Sequence, residues 1–227
     1  MKIYFSLVIC AFFMVQQVMA QNDYKLGILS QLNSDVSLQK NYKLNAKLET
    51  RQIFYQGQTN EKMLFGYDYE RSDLELVLSK KINSLNAVGL GYLIRLKDGE
   101  TTHRMIQQYS IIQNINKVRL GHRFRTDQTF SAHSDPRFRI RYRISTDKSL
   151  QGQSIDPKEF YLKFSSEILG TLQKKTFDTE IRALTSLGYY INDSNKVEAG
   201  IDYRMEEVTQ KTSTHLGWLN IGWYYSF

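Results

Sequence analysis

Four histidines, His103, His122, His133 and His215, and the serines that flank one of them are the residues whose types suggest nucleophilic catalysis. A hydrolase of that kind needs a serine, a histidine and a third polar group that orients the imidazole. The run Ser131-Ala132-His133-Ser134-Asp135 supplies those types as immediate neighbours, which is the wrong arrangement. Ser, Asp and the following Pro136 are turn formers, and adjacent residues on a loop tip seldom hold catalytic geometry. The segment therefore reads as a loop, and no catalytic residue is assigned. The histidines lack the spacing of metal ligands and no glycine-rich phosphate loop occurs, so neither a metal nor a cofactor is expected. The single cysteine, Cys10, lies in an N-terminal leader, which excludes a disulfide or a cysteine metal cluster from the mature chain.

The arginines carry a stronger pattern. From Arg137 to Ile144, Phe138, Ile140, Tyr142 and Ile144 alternate with Arg137, Arg139, Arg141 and Arg143. A helix would scatter those guanidiniums around its circumference, whereas a strand sets them all on one face. The preceding segment does the same, with Val118, Leu120, His122 and Phe124 opposite Arg119, Gly121, Arg123 and Arg125. Carboxylates follow on later alternating segments. Arg119, Arg123, Arg125, Arg139, Arg141 and Arg143 with Glu159, Glu167, Asp178, Glu180, Glu198 and Asp202 are expected to form one charged network inside a barrel, because guanidiniums in a narrow interior need carboxylates to bridge. Such a network would plug the lumen; its alternative role is to attract anionic solutes or lipopolysaccharide phosphates.

The elements that would hold these side chains are strands. The chain has 227 residues, 41% hydrophobic and 13% aromatic, with two prolines and a formal charge of +7, which excludes disordered and collagen-like classes. Residues 1–20 read as a cleaved signal peptide: Lys2, an apolar run from Ile3 to Val15 that is too short to span a bilayer, and Val18-Met19-Ala20 at the cut. Residues 21–227 then form one domain. Period-two alternation recurs to the end, with turn chemistry at 83–86, 97–100, 114–116 and 192–195. About eleven strands can be counted. Parity asks for ten or twelve if both termini share one side of a membrane. The predicted fold is an all-β, antiparallel, up-and-down transmembrane β-barrel of about 10–12 strands.

Alternation alone does not separate an inside-out membrane barrel from a soluble one. Segments of ten to fifteen residues are long for soluble strands and sufficient to cross a bilayer. The C-terminal segment adds an assembly signal: Leu219, Ile221, Trp223, Tyr225 and terminal Phe227 share one face, as in the strands read by the outer-membrane barrel-assembly machinery. The expected location is the outer membrane of a gram-negative cell, with outer-membrane lipid and that machinery as partners. An inward-facing charge removes nucleic acid as a partner despite the basic pI of about 9.3.

Gly89-Leu90-Gly91-Tyr92, His122-Arg123-Phe124-Arg125-Thr126-Asp127-Gln128, Arg139-Ile140-Arg141-Tyr142-Arg143, Glu159-Phe160 and Leu187-Gly188-Tyr189-Tyr190 resemble an exported β-barrel family known as domain of unknown function 2490. The resemblance covers most of the mature chain and departs in the first strand, where an expected tryptophan is absent. It implies an outer-membrane protein and brings no activity, cofactor or catalytic set. The expected function is therefore a non-enzymatic barrel with a structural, adhesive or small-solute role. An outer-membrane lipid hydrolase and a soluble periplasmic barrel binding an apolar ligand are the alternatives.

Overall fold

The computed structural model describes residues 22–227 apart from 40, 60, 116, 117, 153 and 211, so the predicted leader lies outside the described residues. Eleven strands and no helix occur among them. They are β1 (Asp23–Ser37), β2 (Tyr42–Gln58), β3 (Leu64–Lys81), β4 (Asn86–Lys97), β5 (Glu100–Ile115), β6 (Val118–Ser131), β7 (Ser134–Ser149), β8 (Glu159–Gln173), β9 (Thr176–Asn192), β10 (Asn195–Glu206) and β11 (Thr214–Ser226).

Each strand pairs with its neighbours in sequence, and the sheet closes on itself between β1 and β11. An antiparallel circuit closes only with an even count. Here β1 and β11 run parallel, from Asp23 beside Thr214 to Asp35 beside Ser226. This corrects the parity argument: eleven strands are accommodated by one parallel seam, so the barrel is mixed and not wholly antiparallel, and β1 begins at the rim opposite the one where β11 ends. Moving from neighbour to neighbour around the wall, with the β9–β10 register continued one residue past Ile181–Met205, a path that leaves β1 at Ser37 re-enters it at Asp23. So large a stagger means steeply tilted strands.

Local chemistry sets the turns. Asp98 and Gly99 both take positive φ, the requirement of a tight two-residue hairpin between β4 and β5. Asn83 Oδ1 accepts from the backbone amides of Leu85 and Asn86, and Asn192 Oδ1 from that of Ser194, closing two turns on one rim.

Side-chain alternation is inverted relative to a soluble barrel. Along β3, Asp73, Glu75 and Val77 are buried, whereas Leu74, Leu76 and Leu78 are 46%, 45% and 43% exposed. Ile140, Leu90 and Ile201 are exposed to a similar or greater degree on other strands, and the buried positions include Arg51, Arg104, Arg125, Arg139, Arg141 and Arg204. The one buried apolar cluster among the described residues, Leu29, Ile53, Leu216 and Trp218, sits inside the wall beside the parallel seam. The β1–β2 register shifts beside it at Leu26–Gly27, where Phe54 of β2 is passed over. A Cβ on Gly27 would overlap the Gln52 carbonyl oxygen and stand 2.8 Å from the Trp218 ring, so only glycine fits there.

Candidate functional site

The interior is built by the polar face of successive strands. Asp127 of β6, 1% exposed, is its most buried acid: Arg139 Nε donates to it at 2.6 Å, and Arg141 Nε and Arg104 Nε stand 2.9 and 3.5 Å from its oxygens. Glu167 of β8 is the second node, contacted by Arg143 at 2.7 Å, Arg123 at 3.2 Å, Arg182 at 3.4 Å and Arg141 at 3.7 Å. Arg141 therefore joins the two nodes. Around them lie discrete pairs: Arg95 on Asp73 through two hydrogen bonds of 2.7 and 2.6 Å, Arg125 on Glu75 at 2.8 Å, and Arg204 on Asp202 at 3.1 and 2.7 Å. The two-pronged contacts use the planar fork that only arginine offers.

Nearer one rim a different cluster joins β8, β10, β11 and β1 on the inner face. The Tyr161 hydroxyl donates to Glu198 at 2.8 Å, and Lys163 Nζ donates to both Glu198 oxygens at 3.0 and 2.9 Å while lying 5.0 Å from the centre of the Tyr224 ring. The Tyr161 ring lies over Gly188, where a Cβ would overlap it. Gln31 of β1 donates to the Tyr224 hydroxyl at 2.7 Å and ties the cluster to the seam.

Of the residues expected in the charged network, Arg123, Arg125, Arg139, Arg141, Arg143, Glu167, Glu180, Glu198 and Asp202 face the interior and are ion-paired there. Three do not join it. Arg119 is exposed and lines a pocket at the rim, because β6 has only just begun. Glu159 accepts from Ser149 and from the Asp156 amide, fastening the 150–158 loop. Asp178 accepts from the Thr209 hydroxyl on the β10–β11 loop at the other rim. Conversely, Arg51, Arg71, Asp73, Glu75, Arg95, Arg104, Asp127, Arg182 and Arg204 take part although sequence reasoning does not single them out. For Asp127, Arg182 and Arg204 a signal exists, since each continues the polar face of a segment that alternates cleanly.

The C-terminal residues Leu219, Ile221, Trp223 and Phe227 are exposed on the outside, and the Tyr225 ring meets Phe227 edge-on at 4.4 Å. Outward aromatics end in polar contacts at the rims: Trp223 Nε1–H donates to Asn195, the Tyr109 hydroxyl to Asn86, and the Tyr69 hydroxyl to the Leu96 carbonyl. Three outer histidines pair with tyrosine hydroxyls on adjacent strands, His103 with Tyr92, His122 with Tyr142 and His215 with Tyr203, at 2.6 to 2.8 Å.

His133 is on the β6–β7 turn, exposed, with Nδ1 3.2 Å from Glu100. Ser131 and Ser134 hydrogen-bond each other at 3.0 Å, and no hydrogen bond joins either serine to His133 among the described residues. No group of acids and histidines arranged to hold a metal occurs among the described residues.

A family model described as protein of unknown function (DUF2490) matches residues 26–215, which is β1 through the start of β11. No curated protein and no solved structure matches the chain.

Proposed function

The chain belongs to the DUF2490 family, and from that premise and the barrel's geometry we propose that it is a non-enzymatic protein of the gram-negative outer membrane: a lipid-embedded wall whose lumen is plugged by its own charges, with a structural, adhesive or small-solute role. The observation that carries this is the inversion along the strands. Leucines at 74, 76 and 78 face outward from buried Asp73, Glu75 and Val77. Water is a poor solvent for so large a continuous apolar surface, whereas hydrocarbon accepts it. Strands of 12 to 18 residues exceed the nine to eleven that cross a bilayer when tilted. Closure pairs both edges of each strand through the body of the wall, the condition for strands in lipid. The aromatics whose polar ends reach rim groups suit a lipid–water interface.

On this reading the leader exports the chain, and the outward face of β11 ending at Phe227 is its address to the assembly machinery. A soluble barrel holding an apolar ligand would need an apolar interior, and the four buried apolar residues beside the seam are packed on one another. A hydrolase would need a serine–histidine contact oriented by a third group. His133 faces Glu100 and neither neighbouring serine. Where a serine does meet a histidine, Ser213 at 3.2 Å from His215 Nε2, the serine hydroxyl donates to Asn22, and His215 Nδ1 meets the Tyr203 hydroxyl with no acid in contact with it among the described residues.

The test is fractionation followed by gel electrophoresis with and without boiling. The proposal expects the protein in the outer-membrane fraction, extracted only by detergent, with faster migration before heating. Recovery in the soluble periplasmic fraction would overturn it.

A further inference from the structure

The lumen is chambered. A vestibule of about 880 Å³ opens at the rim that carries the 132–133, 174–175 and 207–213 loops, and a central cavity of about 280 Å³ lies within the wall. Arg71, Arg95, Arg139 and Arg182 line both, so four guanidiniums stand where the vestibule narrows into the cavity.

The charge of the central cavity is lopsided. Eleven arginines and two lysines line it against the carboxylates of Glu49, Asp73, Glu75 and Asp202. Glu70, Asp127, Glu167, Glu180 and Glu198 pair with those cations from outside the lining, and the cations still lead by thirteen to nine. Several of these cations keep an unbonded donor, as Glu70 Oε2 and Asp127 Oδ2 stay unbonded among the acids. Arg51 Nη1, Arg71 Nε, Arg104 Nη2 and Arg204 Nη1 are buried with no hydrogen-bond partner among the described residues. Arg51, Arg104 and Arg204 are each 4% exposed. A guanidinium has five N–H donors, and a buried donor left unmade costs more than a made bond returns. Guanidiniums from β2, β3, β5 and β10 that line one cavity and each keep an unbonded donor are complementary to a compact acceptor with several oxygens and negative charge.

We infer that the lumen is a binding site for a small oxyanion of the phosphate type, free or as the head of a larger solute, entering from the vestibule and held where Arg71, Arg95, Arg139 and Arg182 meet the cavity. The site is a property of the closed barrel and does not depend on the compartment in which the barrel resides, so it goes beyond the function proposed above. Arg71 is its most available ligand, since its one ion pair among the described residues is with adjacent Glu70 at 3.4 Å.

The experiment is a titration of the folded, detergent-purified full chain with inorganic phosphate, followed by calorimetry and by the temperature at which the heat-dependent gel shift is lost. Sodium chloride at matched ionic strength is the reference. The expected result is saturable heat and a rise in that temperature with phosphate and not with chloride. Arg71→Gln should weaken phosphate binding by at least about tenfold, the loss of a charge-assisted contact, while Arg71→Lys retains part of it and Arg119→Gln, at the opposite rim, changes nothing. The gel shift of each variant reports that it has folded. Equal responses to phosphate and chloride would overturn the inference, as would equal phosphate affinity in wild type and a folded Arg71→Gln. A further arm places phosphatidic acid in the micelle. A response to that lipid with none to free phosphate locates the affinity on the outside of the wall and also overturns it; a response to free phosphate identifies a dissolved solute as the source.

Discussion

Asp127 is the most buried acid of the interior, and Arg104, Arg139 and Arg141 all approach this one carboxylate, which is 1% exposed. Removing one partner of a buried ion pair leaves the other charge uncompensated, at a cost of about 3–5 kcal/mol, far above that of an exposed pair. Asp127→Asn is isosteric, so it deletes charge without opening a cavity. It should lower the temperature of the heat-dependent gel shift well below that of wild type, whereas Asp98→Asn, in an exposed turn, should leave it in place. Equal shifts for both would mean that water and neighbouring acids replace Asp127 freely. Gly188 tests packing in place of charge. A methyl there meets the Tyr161 ring, so Gly188→Ala should displace it, break the Tyr161–Glu198 hydrogen bond and destabilise the barrel by about 1–3 kcal/mol in a denaturant titration.

At the scale of the strand, much of the barrel is legible in the residue pattern alone. Segments 137–144 and 197–205 alternate without interruption, and 177–191 does so but for Leu184; they fall inside β7, β10 and β9. Each has a neighbour on both edges, so every residue must choose the outer face or the lumen, and that choice writes itself as period two. On β3 the exposed apolar residues are odd-numbered at Phe65, Tyr67 and Tyr69 and even-numbered at Leu74, Leu76 and Leu78, and this change of phase has a physical origin. The β3–β4 register starts at Ser72 and Leu96, so residues 64–71 extend beyond β4 with a free edge, and Phe65, Tyr67 and Tyr69 are exposed there. The β2–β3 register shifts at Arg51–Gln52, where Glu70 of β3 is passed over, and again at Ile53–Tyr55, and these shifts change the phase. Arg51 and Arg71, both in that stretch, are hidden for the same reason, and Arg119 and Glu159 mislead because strand ends keep the alternation after the lumen has ended. The parallel seam is not legible at all, since pairing between residues near 23 and 214 leaves no local signal. It makes a prediction of its own: Gly27→Val, which would drive a side chain into the Gln52 carbonyl and Trp218, should abolish the gel shift by opening the barrel at the seam, while Gly66→Val, with open space around it, should be tolerated.

For the whole molecule the lumen is the property that matters, and two constrictions govern it. One is the set of arginines shared by the vestibule and the central cavity; the other is formed by Lys163 and Tyr224, which line both the central cavity and a pocket of about 200 Å³ at the far rim. With both in place a wild-type barrel in a planar bilayer should pass little current. The second constriction depends on few contacts: Tyr161 and Lys163 on Glu198, and Lys163 against the Tyr224 ring. Replacing Tyr161 and Tyr224 by alanine removes two rings while leaving the Lys163–Glu198 pair and the arginines of the first constriction intact. The double variant should therefore conduct measurably more than wild type, and because the remaining narrow point is lined by guanidiniums, its reversal potential in a potassium chloride gradient should be that of a chloride-preferring pore. Cation preference would place the carboxylates, not the arginines, at the narrowest point of the path. A folded double variant as silent as wild type would mean that the arginine constriction closes the lumen unaided, and the barrel would then be a plugged wall from one rim to the other.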